Sequence, residues 1–417
     1  MRKEIKGLYL VQYFPPEKSS GSDLVEDLLE GFANEEWNID LFTPTPTRGV
    51  TKAQRMEYCQ RKRVEKILKG NVIIHRMHLY REGKSFIGRA IRYILFSIEC
   101  LWKSVTVPAD FIFTGSGPPS QGVVVALAKK ISGKKVVYNL QDIFPDSLVT
   151  SGICDENSVL MKIGYAMEKF TYKNVDLIIT VSDDMEENIR RKGVPSEKIK
   201  VVRNWIDTDK VFPIEREKNL VFDKLGITRE KFLVVYAGNI GKVQGIDVIV
   251  RAAEKLKENV DIQFIIIGNG SEEEEIKNMI LKKELNNIAM FPLLESEWVS
   301  QVYSMADVCI ISCKPGTGGS GMPSKTWTIM AAGTPIIASF DKGSEMEKII
   351  TEANCGICTE AGNENTLVEA IENMFFNKKD MEVMSCNARE YAVQHVSKEK
   401  AVQMYINCIN DLLEKGR

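Results

Sequence analysis

Short apolar runs punctuate this chain at intervals of about 20–40 residues, a spacing that fits strands alternating with helices. In the first half the runs are "GLYLVQYF" (7–14), "NIDLFTP" (38–44), "NVIIHRMHL" (71–79), "ADFIFTG" (109–115), "KKVVYNLQD" (134–142), "DLIITVS" (176–182) and "KIKVVRN" (198–204). Between them lie stretches with apolar residues three and four apart, such as "DLVEDLLEGFAN" (23–34). The pattern restarts at "FLVVYAG" (232–238) and continues through "IQFIIIG" (262–268), "IAMF" (288–291), "VCIIS" (308–312) and "PIIAS" (335–339). A polar, irregular stretch at 205–228 separates the halves. This predicts an α/β protein of two Rossmann-like, doubly wound domains facing across a cleft, 1–208 and 209–396. By pattern alone the closing helix, within 397–417, fits either domain.

The length of 417 residues agrees with two cores rather than one. The net charge of -2 gives no global field for nucleic acid. Nine cysteines at irregular spacing suit free thiols in a reducing cytosol, and the lone Cys355-Gly-Ile-Cys358 reads as two small core-side residues. Three histidines form no metal trio, so no metal is expected. The N-terminal apolar run is too short for a secretion signal, and residues 93–107 are too short and too charged to span a bilayer.

Chemistry is expected in the loops that leave the strands. "YAGNIGKVQG" (236–245) combines Gly238, Asn239, Gly241, Lys242 and Gln244 before a helix, a pattern that suits either a phosphate or an empty tight turn. "IIIGNGSEEEE" (265–275) has too few glycines for a dinucleotide site, and its glutamates oppose a phosphate. "GTGGSGMPSKTWTIMAAGTP" (316–335) carries one charge, Lys325, and Ser324 is a candidate helix N-cap. Three such loops on one sheet would converge on an anion. In the first half, Asp142 either caps the turn "IFPDS" or presents a carboxylate to the cleft, and Ser20, Gly21 and Ser22 offer backbone amides. Residues 51–107 hold thirteen Lys or Arg against four Glu. Within them Arg89, Arg92, Phe96 and Trp102 belong to a basic, apolar helix suited to an anionic membrane surface.

In order and spacing, "YFPPE", "GPPSQG", "QDIFPDSLVTSG", "TVSDDMEENIRRKGVPSEKIKVVRNWID", "YAGNIGKVQG" and "PSKTWTIMAAGTPIIAS" resemble bacterial GT-B glycosyltransferases of family 4. Within that family they look most like the branch that transfers N-acetylfucosamine-type sugars in O-antigen and capsule synthesis. The resemblance implies a UDP-sugar donor in the C-terminal domain. Its diphosphate would be held by the 238–245 loop, Ser324 and Lys325, its base by Pro292, Leu293 and Leu294, and its ribose near Thr328. It also implies a polyprenyl-diphosphate-linked saccharide acceptor near Gly21 and Asp142, no cofactor beyond the donor, a cytoplasmic enzyme peripheral on the inner face of the membrane, and a terminal helix returning to the first domain. Common members place two glutamates around the second donor loop, whereas this chain has Thr328 and no acid between Lys314 and Asp341. The alternatives are a UDP-sugar 2-epimerase on the same fold and a non-catalytic nucleotide-sugar-binding subunit.

Overall fold

A computed structural model describes residues 4–17, 21–60, 63–79, 86–150, 154–155, 158–318 and 322–415. It divides into two compact units, Met1–Arg203 with Ala401–Arg417, and Asn204–Lys400.

The first unit is built on eight strands: β1 (Lys6–Leu10), β2 (Asn38–Pro44), β3 (Val64–Ile67), β4 (Val72–Met77), β5 (Phe111–Gly115), β6 (Lys135–Leu140), β7 (Leu177–Thr180) and β8 (Ile199–Val201). Their order is β3-β4-β2-β1-β5-β6-β7-β8. All pairs are parallel except β3 with β4. The pattern of apolar runs misses β3, "VEKI", because it is a half-exposed edge strand with two adjacent charges, Glu65 and Lys66, between its two apolar residues. The chain reverses between β3 and β4 through positive φ at Leu68, Lys69 and Gly70. On one face of the sheet, Phe96 and Cys100 of the helix Phe86–Thr106 pack with Leu8, Leu10 and Ile112. Another core group joins Tyr9, Phe113 and Phe32 to Tyr405 of the helix Lys398–Glu414. Gly31 leaves the notch that Val402 fills, since a Cβ there would lie 2.1 Å from Val402 Cγ1. The buried Tyr405 hydroxyl donates to Asn139 Oδ1 at 3.0 Å.

The second unit has six strands, β9 (Phe232–Asn239), β10 (Ile262–Asn269), β11 (Ile288–Phe291), β12 (Val308–Ser312), β13 (Ile336–Phe340) and β14 (Gly356–Glu360), all parallel in the order β11-β10-β9-β12-β13-β14. β10 carries the unbroken run Phe264–Ile267, every residue of it buried, as a strand covered on both faces requires. The short β14 holds Cys358, with the buried Cys355 just before it. The strand order reverses between β9 and β12. Loops leaving the carboxyl ends of these two strands flank the crevice where doubly wound sheets take their ligands.

Candidate functional site

In the second unit, three loops meet at that crevice, welded by backbone contacts. Ile240 N donates to Asn269 O at 2.9 Å, Glu272 N to Ile240 O at 3.0 Å and Lys314 N to Val243 O at 2.8 Å. Ser312 Oγ donates to Gln244 O at 2.7 Å. Gly268 and Gly270 make this possible: a Cβ at either would lie 2.0 Å from Gly238 O or 2.2 Å from Ile240 O. The G-x-G of the second loop therefore serves close packing of backbones. Its glutamates face cations, with Glu272 3.9 Å from Lys314 and Glu273 2.7 Å from Lys277.

Lys325 occupies the centre. It opens the helix Lys325–Ala331, whose buried Trp327, Ile329 and Met330 anchor it in the core. Its ammonium lies 3.9 Å from the centroid of the Tyr236 ring and 3.0 Å from the point a Gly238 Cβ would occupy. Gly238 has φ 142, a conformation reserved for glycine, so the niche depends on that residue twice. Among the described residues Lys325 has no carboxylate partner and no hydrogen-bond acceptor. Desolvation brings its pKa down from the ordinary 10.5 to about 8. The Tyr236 hydroxyl donates to Asn239 O at 2.6 Å, so one buried ring both floors the ammonium and fixes the turn. Asn239 Nδ2 donates to Gln244 Oε1 at 3.2 Å across Gly241, where a Cβ would collide with both side chains. Lys242 is exposed. An unpaired, desolvated cation of this kind stabilises negative charge developing on a leaving group.

Around this centre, Thr328 sits partly buried, three residues along the helix from Lys325. Ser324 departs from expectation: its backbone is already helical (φ -57, ψ -26), Thr326 N donates to Pro323 O at 3.0 Å, and the serine makes no capping bond. The turn begins at Pro323, too early for Ser324 to cap. Pro292, Leu293 and Leu294 follow β11 at the same end of the sheet, with Pro292 and Leu293 exposed and Leu294 against the core. The sequence gives no sign of Asp341, at the end of β13. Its carboxylate accepts from Gly316 N at 2.9 Å and Gly318 N at 2.7 Å, which fixes the entry to the glycine-rich loop. Only the β12–β13 pairing brings that acid to the loop. Gly319, Ser320 and Gly321 lie outside the described residues.

In the first unit, Asp142 is exposed after β6 and, among the described residues, joins no hydrogen bond or ion pair, so it does not cap the turn. Gly21 stands at the start of the helix Ser22–Asn34 with φ 93, and Ser20 lies outside the described residues. Glu17 is a second residue that sequence reasoning misses. It is buried, and its Oε1 accepts from Thr47 N at 2.6 Å, Arg48 N at 2.8 Å and Thr47 Oγ1 at 3.1 Å. Buried Arg76 donates to Pro15 O at 2.5 Å, so the "FPPE" loop is held from both ends.

Comparison with known proteins decides the family. Residues 22–205 match the Glycosyl transferase 4-like domain, and residues 217–391 match Glycosyl transferases group 1. The chain is a GT-B glycosyltransferase. This glycosyltransferase is 25% identical over 331 residues to the probable glycosyltransferase WbjE of Pseudomonas aeruginosa, covering 79% of this chain and 81% of that protein. It is 26% identical over 287 residues to the putative colanic acid biosynthesis glycosyl transferase WcaI of Escherichia coli K12, covering 68% and 69%. Its fold superposes on a sucrose-phosphate synthase from Thermosynechococcus elongatus with a TM-score of 0.75 at 15% identity, covering 99% and 100% of the two chains. HepE from Anabaena in complex with UDP gives 0.72 at 15% identity, covering 98% and 100%.

Two of the four residues expected to meet a membrane do not face outward. Phe96 is 1% exposed in the core, and Arg92 is 3% exposed. Arg89 and Trp102 are exposed. No helix among the described residues is long and apolar enough to cross a membrane.

Proposed function

We propose that this enzyme moves a sugar, an N-acetylated deoxyhexose, from a UDP-sugar to a polyprenyl-diphosphate-linked saccharide during assembly of a capsule or O-antigen polysaccharide. The observation that carries the reading is the Lys325 ammonium, desolvated and without a counter-ion beside the Gly238 turn. In the reaction the bond from the sugar's anomeric carbon to the diphosphate oxygen breaks, and one to an acceptor hydroxyl oxygen forms. Negative charge grows on the departing diphosphate, where a pre-placed lysine stabilises it more than in the ground state. Asn239, Gln244, Lys242 and the backbone near Ser324 orient the diphosphate, Thr328 meets the ribose, and the 292–294 segment lies against the base. Asp142, an exposed carboxylate with no partner, orients the acceptor hydroxyl or takes its proton. UDP as the nucleotide is supported by HepE, described in complex with UDP and with UDP-glucose. Polysaccharide assembly is supported by WcaI, named for colanic acid biosynthesis.

The test is a thermal-shift screen of UDP-sugars followed by transfer to a lipid-linked acceptor. A bound donor raises the midpoint with the logarithm of its concentration over Kd. Lys325→Ala is expected to keep its fold and lose turnover. Near-normal transfer by that variant would remove the phosphate role. Appearance of an epimerised UDP-sugar without acceptor would replace transfer with epimerisation, and UDP binding without any turnover would leave a binding subunit.

A further inference from the structure

Asp142 joins no hydrogen bond or ion pair among the described residues, yet the chain on both sides of it is tied down. Just before it, Gln141 N donates to Ser116 Oγ and Gln141 Nε2 to Asn139 Oδ1, each at 3.1 Å. Just after it, Ile143 is buried in the core of the sheet. Pro145 packs on Gly164 of the helix Val159–Asn174, where a Cβ would lie 2.7 Å from Pro145 Cβ. Four positions beyond Asp142, one oxygen of Asp146, Oδ2, accepts from Lys192 Nζ at 2.8 Å and from Asn188 Nδ2 at 3.1 Å.

Lys192 bonds two acids, and they differ in what they need. Glu168 is 8% exposed, and burial pushes its carboxyl above the usual range; the Lys192 bond, 2.7 Å to Oε1, opposes that shift. A buried carboxylate without such a cation is costly, so this half of the bridge serves the fold. Asp146 is only partly buried, and water can solvate it without a cation. Its bonds do something else. They fasten the turn that follows Asp142 to the helix Asp183–Arg191, which carries Asn188 and ends just before Lys192. Asn188 and Lys192 stand four positions apart, on one helical face, and the helix C-terminus favours the cation placed there.

We propose that Asp146, held by Lys192 and Asn188, is a positioning residue: it fixes the turn so that the Asp142 carboxylate stays where the acceptor hydroxyl arrives. The proposal rests on the reading of Asp142 as the group that orients that hydroxyl or takes its proton. With no bond of its own, Asp142 is placed by its neighbours in the chain, and a displacement of ~1 Å can cost about 100-fold in rate. Anchoring the backbone instead of the carboxylate leaves both carboxylate oxygens to the substrate.

Hydrogen exchange of the substrate-free protein reads the tie directly. In Asp146→Ala the amides of Ser147 and Leu148, which donate to Ile143 O and Pro145 O at 2.9 Å, are expected to exchange about tenfold faster, with β6 unchanged. Gly164→Ala pushes the same turn from the other side and leaves every charge in place. Transfer is then followed from the UDP-sugar selected by thermal shift to undecaprenyl-diphosphate-linked N-acetylglucosamine. Both variants are expected to lose about tenfold in kcat, with the Kd of UDP by calorimetry within about twofold of wild type. Asp146→Asn, which still offers an oxygen to both donors, should keep about half the rate. Added to Asp142→Asn, either change should cost less than about twofold more, because nothing is left to position. Unchanged exchange in both variants, or losses that multiply in the Asp142→Asn background, would overturn the proposal. Full transfer by Asp146→Ala and Gly164→Ala while Asp142→Asn is impaired overturns it alone. Full transfer by Asp142→Asn, or none by the wild type, overturns the reading of Asp142 and the proposal with it.

Discussion

Replacing Lys325 with methionine is expected to make the ligand-free protein more stable while abolishing its response to donor. Holding the ammonium at about 8 rather than 10.5 costs roughly 3 kcal/mol at ~1.36 kcal/mol per pH unit. The Tyr236 ring returns about 0.5–2 kcal/mol of that. A near-isosteric apolar side chain escapes the net cost, so Lys325→Met should gain about 1–3 kcal/mol near pH 7. The sign of the pH dependence follows from proton binding. Between about 8 and 10.5 the unfolded lysine holds a proton that the folded one has released, so the wild type gains stability with rising pH in that window. Below about 8 both states are protonated and the difference is constant. The advantage of Lys325→Met should therefore shrink from pH 8 to 10.5. Urea denaturation of both proteins at several pH values, with and without UDP, reads this directly. A variant less stable than wild type at pH 7, or a stability difference unchanged up to pH 10.5, would refute the picture of a desolvated, unpaired cation. In either case the lysine would be structural.

Gly238→Ala places a methyl group 3.0 Å from the Lys325 ammonium at a φ of 142, and donor affinity by calorimetry should fall about tenfold or more as the lysine is displaced. Tyr236→Phe keeps the ring and loses the bond to Asn239 O, which should raise the donor KM about fivefold; Tyr236→Leu loses both contacts and, by removing the ring that favours the ammonium, should also lower the Lys325 pKa further. Asp341→Ala frees two loop amides at a cost of about 1–3 kcal/mol, seen as faster hydrogen exchange at 316–318 and a higher donor KM.

Five of the six strands of the second unit are legible because buried parallel strands are apolar throughout, as in "QFIIIG"; β14, "GICTE", is only partly buried and gives no such run. β3 is not legible either, because only its pairing with β4 distinguishes "VEKI" from a loop. Lys325 stands out as a single charge in a glycine-rich stretch. Its floor, Tyr236, lies 89 positions earlier and meets it only through the strand order of the sheet. Asp341 is hidden in the same way, a carboxylate supplied by the next strand to a loop with no acid of its own. Phe96 lies in the core rather than at a membrane for another reason. A helix apolar on both sides gives the same periodic signal for each, and only the position of β1 and β5 selects the buried one. Ser324 shows the limit of capping rules: a proline one residue earlier had already started the turn.

The helix that supplies Val402 and Tyr405 follows the whole second unit in the chain, yet it completes the first. Until it arrives, the notch at Gly31 is unfilled and Asn139 lacks its phenol partner. The N-terminal unit therefore waits, incomplete, through the synthesis of the whole second unit. A chain that stops before residue 401 leaves the Gly31 notch open and Asn139 without its phenol partner, so its first unit stays unfinished and exposes apolar surface.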